Sequence, residues 1–309
     1  MASAVKVFCI GYPSLDYLAR IRSIAGVDET HIVEQRSGAP TFGGCAANVA
    51  VGLARLGVPT GIGMSLGDDP EGKAFLVHLQ RNGVDTSGIT VDPGATARSH
   101  FFLDPTGRYY LFFDPGTSRE WCPAAWDFQG AAWALLTVVS RRAAVSFAQA
   151  AAAAGVRLVW QLKKDRDAFP PDVVRTIFPL CSTVIMNRTE SLYVQECLGL
   201  NSEAEMLRLG PAHVVVTQGK DGAVVWGPSG AIAVPAVPAV MVDATGAGDA
   251  FTAGFLWGLV RGWDVAQAAR VGATVASFVI ETYGAQEGLP GEAEVRRRYR
   301  EAFGHDLPA

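Results

Sequence analysis

The run VDATGAGDAF, Val242 to Phe251, sets Gly246, Ala247 and Gly248 in front of a single carboxylate, Asp249. A turn needs one or two glycines, whereas three small residues in a row lay backbone N–H groups bare. Beyond Asp249, Phe251, Phe255 and Leu259 recur at helical spacing, so a helix begins at about Gly246–Gly248. The first N–H groups of a helix lack intrahelical acceptors, and among small residues they make an anion site. Asp249 then has two readings. It is a first-turn aspartate favoured by the helix dipole. Or it is a base that takes the proton of an attacking hydroxyl while the N–H groups hold a phosphoryl group.

The rest of the chain predicts where such a helix sits. Val5–Ile10 is a buried β-branched first strand ending at Gly11, and Cys45–Leu56 is a helix closed by Gly57. Thr60–Met64 reads as a strand, and Asp69-Pro70 caps a helix over Glu71–Asn82. From about residue 130, strands at Leu135–Val139, Arg157–Trp160, Thr183–Met186 and His213–Thr217 alternate with helices, including the alanine-rich Arg141–Ala154. That alternation predicts a parallel sheet covered on both faces. Residues 12–42 and 96–113 break the rhythm. The second is a hairpin, Ala97–Leu103 and Arg108–Phe113 around the turn Asp104–Gly107, and the two regions are expected to pair as a small second sheet serving as a lid.

The chain has 309 residues, 49% hydrophobic and 18% charged, with net charge −4. This is an ordinary globular composition, and the charge gives no reason to expect a nucleic-acid or membrane partner. The five cysteines are scattered without CxxC spacing, as buried thiols in a reducing compartment would be. With no signal-peptide apolar run at the N-terminus and no membrane-length apolar stretch, a cytoplasmic location is expected.

Two motifs tempt and fail. Gly67–Ala74 approximates a P-loop, but Ala74 stands where a magnesium-binding Ser or Thr belongs, and Asp68, Asp69 and Glu71 would repel phosphate. Gly63-Met-Ser65-Leu-Gly67 has the spacing of a nucleophile elbow, but the helix cap comes four residues after the serine.

Other stretches fit the Asp249 site. Gly43-Gly44 opens a helix that carries Asn48 in its first turn, and glycine lets a ligand lie against backbone. Asp16, after the first strand, is either a turn residue or an acceptor for two sugar hydroxyls. Asn187-Arg-Thr-Glu190 is a capping box in all but its first residue, or a magnesium-facing pair. Thr217-Gln-Gly219-Lys-Asp-Gly222 is a hairpin turn into Ala223–Trp226, or a glycine loop under a nucleotide.

In combination, GGCAANVAVGLARLG from Gly43 and DATGAGDAFTAGF from Asp243 resemble the signature regions of the ribokinase-like sugar and nucleoside kinases, the PfkB family. GYPSLD, GDDPEG, NRTE, TQGKDG and YGAQ accompany them in order, and the resemblance runs from about Val5 to Phe303. It implies a three-layer α/β/α ribokinase-like fold with a mostly parallel central sheet and a small β-sheet lid. The core would be residues 1–11, 43–95 and 118–309, and the lid residues 12–42 and 96–117. It implies Asp249 as catalytic base, the Gly246–Gly248 backbone, Ala247 included, as anion hole, and Asp16, Gly43, Gly44 and Asn48 around the phosphate acceptor. Asn187 would serve phosphate and Glu190 Mg2+ through water; Thr217, Gly219 and Gly222 would line the ATP site. Many members bind a monovalent cation such as K+ beside the segment matching Asp243 and Gly284, and the lid often mediates homodimers.

One departure is Gln161-Leu-Lys163-Lys164-Asp-Arg166, where many relatives carry an Asp- or Asn-led motif; Lys163, Lys164 or Arg166 would bring the positive charge to the phosphates. GATVASFVIETYGAQ looks most like the nucleoside-kinase branch, and Phe101, Phe102, Tyr109, Tyr110, Phe112 and Phe113 offer faces for a base or for packing. The expected reaction is transfer from ATP to a ribonucleoside such as adenosine. A free-sugar kinase and a non-catalytic nucleotide or sugar sensor are the alternatives.

Overall fold

The structure is a computed structural model that describes residues 4–24, 26, 28–36, 38–106 and 108–308. Gly107, the last residue of the expected hairpin turn, lies outside them. The strands are β1 Val7–Ile10, β2 Ser14–Ile21, β3 Val33–Arg36, β4 Thr41–Gly43, β5 Thr60–Gly67, β6 Asp85–Asp92, β7 Arg98–Leu103, β8 Tyr109–Asp114, β9 Trp133–Leu136, β10 Arg157–Gln161, β11 Thr183–Asn187, β12 His213–Thr217, β13 Ala223–Gly227 and β14 Gly230–Val234. The helices are α1 Cys45–Arg55, α2 Pro70–Arg81, α3 Arg141–Ala153, α4 Pro171–Ile177, α5 Arg188–Leu198, α6 Glu203–Met206, α7 Ala247–Val260, α8 Val265–Val279 and α9 Glu292–Phe303.

Nine strands form the main sheet, in the order β14-β13-β12-β11-β10-β9-β1-β5-β6. The pairs from β12 to β6 are parallel, and β13 and β14 close one edge antiparallel. The alternation of side chains explains the layers. Val7 and Cys9 of β1 pack with Val49, Leu53, Phe255 and Trp257 on one face. Phe8 and Ile10 pack with Phe147, Trp160 and Phe178 on the other. A sheet buried on both sides needs apolar residues along its strand centres, which is why β1, β9 and residues 158–160 of β10 read as continuous apolar runs. Fully buried Phe255 alone removes enough apolar area to contribute about 2–3 kcal/mol.

The second sheet has five strands, β3-β2-β7-β8 with β4 on β2. It unites residues 14–43 with 98–114, the two regions that break the alternation, through a parallel pairing of β2 with β7. Local details follow from sequence chemistry. Asp69 accepts from the Gly72 amide as N-cap of α2, with Pro70 in its first turn. Gly57 adopts a φ of 76° just past α1.

Some boundaries differ from expectation. β5 runs on to Gly67, and β9 stops at Leu136 rather than Val139. β6 and β14 have weak alternation and polar or glycine residues, so the main sheet is wider than the apolar pattern suggests. Among the described residues no helix is long and apolar enough to cross a membrane, and all five cysteines are free.

Candidate active site

The residues singled out in the sequence come from loops and strand ends at one rim of the main sheet. β10 ends at Gln161, β11 at Asn187 and β12 at Thr217, and β1 leads into β2 with Asp16. In parallel sheets the carboxyl ends of the strands open the ligand crevice.

Gly246 is the N-cap of α7, at a φ of 78°, and a Cβ there would press on Ala285. That left-handed backbone and that contact leave room only for glycine. Of the expected cradle amides, Ala247 is already taken by the Ala244 carbonyl at 3.2 Å. The free donors are therefore the Gly246, Gly248 and Asp249 amides, which find no protein acceptor among the described residues. The set differs from the expected Gly246-Ala247-Gly248 in one member: Ala247 drops out and Asp249 joins. A Cβ on Gly248 would meet only Lys163 Nζ, at 3.9 Å. Lysine and open amides thus face one small space, as an anion requires.

Asp249 is 5% exposed. Asn48 Nδ2 donates to its Oδ2 at 2.7 Å, and Gln161 Nε2 donates to its Oδ1. Two amide donors leave lone pairs of the carboxylate open to a third partner. Lys163 settles which cation stands here. Beside the Cys45 sulfur, the Asp249 and Glu190 carboxylates favour its charged form and hold it above the ordinary lysine range against the burial that opposes it. Arg166 instead pairs with Glu196 at 3.5 Å and lies over the Tyr193 ring, and Lys164 is exposed. Cys45 is thus no remote core thiol: burial first, then the Asp249 charge, push its pKa up.

Asp16 faces the same space from β2. Burial, then the Asp249 and Glu287 charges, raise its carboxyl to about 6, against the Ser14 hydroxyl, which lowers it. Ser14 donates to Asp16 and lies 2.7 Å from Ser99 Oγ. Gly43 is pressed on this carboxylate, and a Cβ there would collide with it. Gly44 caps α1 at a φ of 92°, where a Cβ would strike the Tyr12 carbonyl. The glycine pair is dictated by crowding around Asp16 and Tyr12.

Asn187 and Glu190 form the full capping box of α5. Asn187 Oδ1 accepts from the Glu190 amide at 2.9 Å, and Glu190 Oε2 accepts from the Asn187 amide at 2.7 Å. Burial raises the Glu190 carboxyl and Lys163 lowers it. The capping role and the place near Lys163 coexist. Beside this pair lies a cavity of about 210 Å³, lined by Asn187, Arg188, Thr189, Thr217, Gln218 and Gly219. The Thr217–Gly222 segment is a hairpin turn between β12 and β13 that also forms this wall. Gly222 is in the turn, at a φ of 87° against the Val234 carbonyl, and does not line the cavity.

Asp243 accepts from the Thr245 amide at 2.9 Å and the Gly284 amide at 3.0 Å. It ties the loop before α7 to the loop after α8. Among the described residues no group of three or more His, Cys, Asp or Glu side chains is placed to hold a metal ion.

Two features escaped the sequence. Gln161 was noted only as the start of a departure, yet it touches Asp249; a polar residue at the end of a buried strand was the signal. Gln286, in YGAQ, donates to Asn48 Oδ1 at 2.8 Å, a contact across 238 positions that no local pattern carries.

The pfkB family of carbohydrate kinases matches over residues 5–292. A nucleoside kinase of Methanothermobacter thermautotrophicus is 26% identical, covering 100% of both chains. A 5-dehydro-2-deoxygluconokinase of Shouchella clausii is 30% identical over 85% of this chain and 87% of its own. The structure of a Burkholderia thailandensis nucleoside kinase in complex with inosine superposes with a TM-score of 0.89 at 25% identity, covering 97% of this chain and 98% of that one. With the rim geometry and these likenesses in agreement, the chain belongs to the pfkB family of carbohydrate kinases, phosphotransferases that act on an alcohol group.

Proposed function

We propose that the protein transfers the γ-phosphoryl group of ATP to the 5′-hydroxyl of a ribonucleoside of the adenosine type. The observation that carries this reading is the placement of Asp249 against Asn48, with Lys163 and open helix-start amides on one side and Asp16 among its charged neighbours. Full-length likeness to a nucleoside kinase, and structural likeness to one holding inosine, support the acceptor.

Asp16 accepts hydrogen bonds from sugar hydroxyls over the Gly43-Gly44 backbone, and Asn48 fixes the acceptor beside the base. The acceptor hydroxyl gives its proton to Asp249 as its oxygen bonds to the γ-phosphorus. The bond from that phosphorus to the bridging oxygen breaks, and ADP leaves with that oxygen. The Gly246, Gly248 and Asp249 amides and Lys163 offset the charge on the migrating group. Asn187, Thr217 and Gly219 line the nucleotide side, with Gly222 shaping the turn behind. Glu190, a single carboxylate already engaged by backbone, would hold a magnesium ion through water, and the ion would neutralise phosphate charge. Asp243 and Gly284 mark the place for K+.

In register, Asp16, Ser99 and Phe113 align across β2, β7 and β8, so Phe101, Tyr109 and Phe113 share the face of Asp16. We assign these to the acceptor's base, and Phe102, Tyr110 and Phe112, on the opposite face, to a homodimer contact through the lid. Free thiols accord with a cytoplasmic location.

The second reading, a free-sugar kinase, has support in the relative named 5-dehydro-2-deoxygluconokinase. ADP release from ATP and Mg2+ against a panel of ribonucleosides and free sugars decides. Adenosine-type nucleosides should give the highest kcat/KM. Preference for free sugars replaces the first reading with the second, and the absence of acceptor-dependent ADP leaves the non-catalytic sensor.

A further inference from the structure

A chain of side chains runs from the surface to Asp249. His78 Nε2 lies 2.7 Å from Gln286 Oε1. Gln286 Nε2 donates to Asn48 Oδ1 at 2.8 Å, and Asn48 Nδ2 donates to Asp249 Oδ2 at 2.7 Å. Each link has one workable polarity. A carboxylate oxygen accepts, so Asn48 must present its NH2 to Asp249 and its oxygen to Gln286. Gln286 must then turn its NH2 to Asn48 and its oxygen to His78, whose Nε2 carries the hydrogen.

The chain is held at both ends. Gln286 is 2% exposed and Asn48 5%. Arg55, on the helix that carries Asn48, donates through Nη1 to the Gln286 and Leu289 carbonyls at 2.8 and 3.0 Å. The His78 ring stacks on Phe42, centroids 4.4 Å apart, next to Gly43.

We propose that Gln286 is a positioning residue for phosphoryl transfer: it locks the Asn48 amide so that Nδ2, and not Oδ1, meets Asp249. His78 locks Gln286 in turn. Without Gln286 only the contact with Asp249 selects the orientation of the Asn48 amide, which then turns more readily to set its oxygen against the carboxylate oxygen. The proposal rests on Asp249 as the base.

The test uses the full chain with ATP, Mg2+ and the best acceptor of the panel. Gln286→Met keeps the volume and removes both hydrogen bonds; kcat should fall about tenfold or more with KM for ATP unchanged. Gln286→Glu should fall further, because a carboxylate draws Asn48 Nδ2 toward itself and away from Asp249. In Asn48→Leu, adding Gln286→Met should slow turnover no more, since the link is already cut. A lowered melting temperature with unchanged kcat per folded enzyme, or effects that multiply with Asn48→Leu, overturns the proposal and leaves a purely structural network. If Gln286→Met does not fold, His78→Leu tests the outer link: kcat should fall severalfold at constant KM for ATP, and unchanged kcat overturns the proposal. Asp249→Asn in the same assay separates the two claims. If it turns over normally the base assignment fails; if it is inactive while the Gln286 variants are normal, only the positioning claim fails.

Discussion

At the residue scale, the site depends on where atoms are missing as much as on where they stand. Gly248 is open: an added methyl meets Lys163 Nζ at 3.9 Å and nothing else. Gly248→Ala should therefore fold with an unchanged melting temperature while its methyl fills the phosphoryl space, lowering kcat/KM for ATP at least about tenfold. Wild-type kinetics in that variant would show that the transferred group sits elsewhere. Asp16 makes a prediction in pH. Its carboxyl is raised to about 6, chiefly by burial, so acceptor kcat/KM should drop as pH falls through 6. The stability effect has the opposite sense. With the folded pKa above the unfolded one, the folded state holds the proton more tightly, so stability falls as pH rises from about 4 to 6. Asp16→Asn should raise the melting temperature at pH 8 relative to wild type and lose that advantage at pH 4. Equal curves for the two proteins would remove the burial argument.

At the scale of elements, α5 begins with a reciprocal cap whose Asn187 also lines the cavity beside Thr217 and Gly219. Asn187→Ala removes the acceptor for the Glu190 amide and should destabilise the protein by about 1 kcal/mol, read from urea unfolding. The residue-187 amide still holds the Glu190 carboxylate, but Asn187 also lines the adjoining cavity, so on the proposed function loss of its side chain should raise KM for ATP as well. A stability loss with unchanged KM would confine Asn187 to capping. Elements of this kind were legible because their chemistry is local: Asp69-Pro70, Asn187 to Glu190, and the helix period after Gly246 all act within a few positions. β6 was not legible. Asp85–Asp92 gains its place from pairing with β5, and its polar residues give little alternation. The helix start at Gly246 was legible, but the loss of the Ala247 amide to Ala244 was not, because it depends on the turn that enters the helix. The contacts of Gln161 and Gln286 join distant strand ends and loops, and only the closed sheet brings them together.

At the scale of the whole molecule, the second sheet leaves a surface unsuited to water. β8 exposes five consecutive large side chains, Tyr109 58%, Tyr110 39%, Leu111 47%, Phe112 60% and Phe113 38%. One alternating set shares the face of Asp16, where an acceptor would cover it. The other set borders a groove of about 400 Å³ with Ile21, Val33 and Phe102, on the side away from the acceptor. An exposed apolar strand at a sheet edge is a hazard unless a partner covers it. The two faces therefore predict separable defects. Phe112→Asp should turn a dimer into a particle of the 32.7 kDa chain mass by light scattering, because a further carboxylate is costly to bury in a groove that already holds Asp28 and Glu29 beside its apolar residues. Its melting temperature should hold at low concentration, since Phe112 supports none of the main core. Phe113→Ala, on the acceptor face, should leave the mass unchanged and raise KM for the nucleoside. A wild-type monomer at tens of micromolar would remove the lid contact, and a Phe112→Asp dimer would move it to another surface.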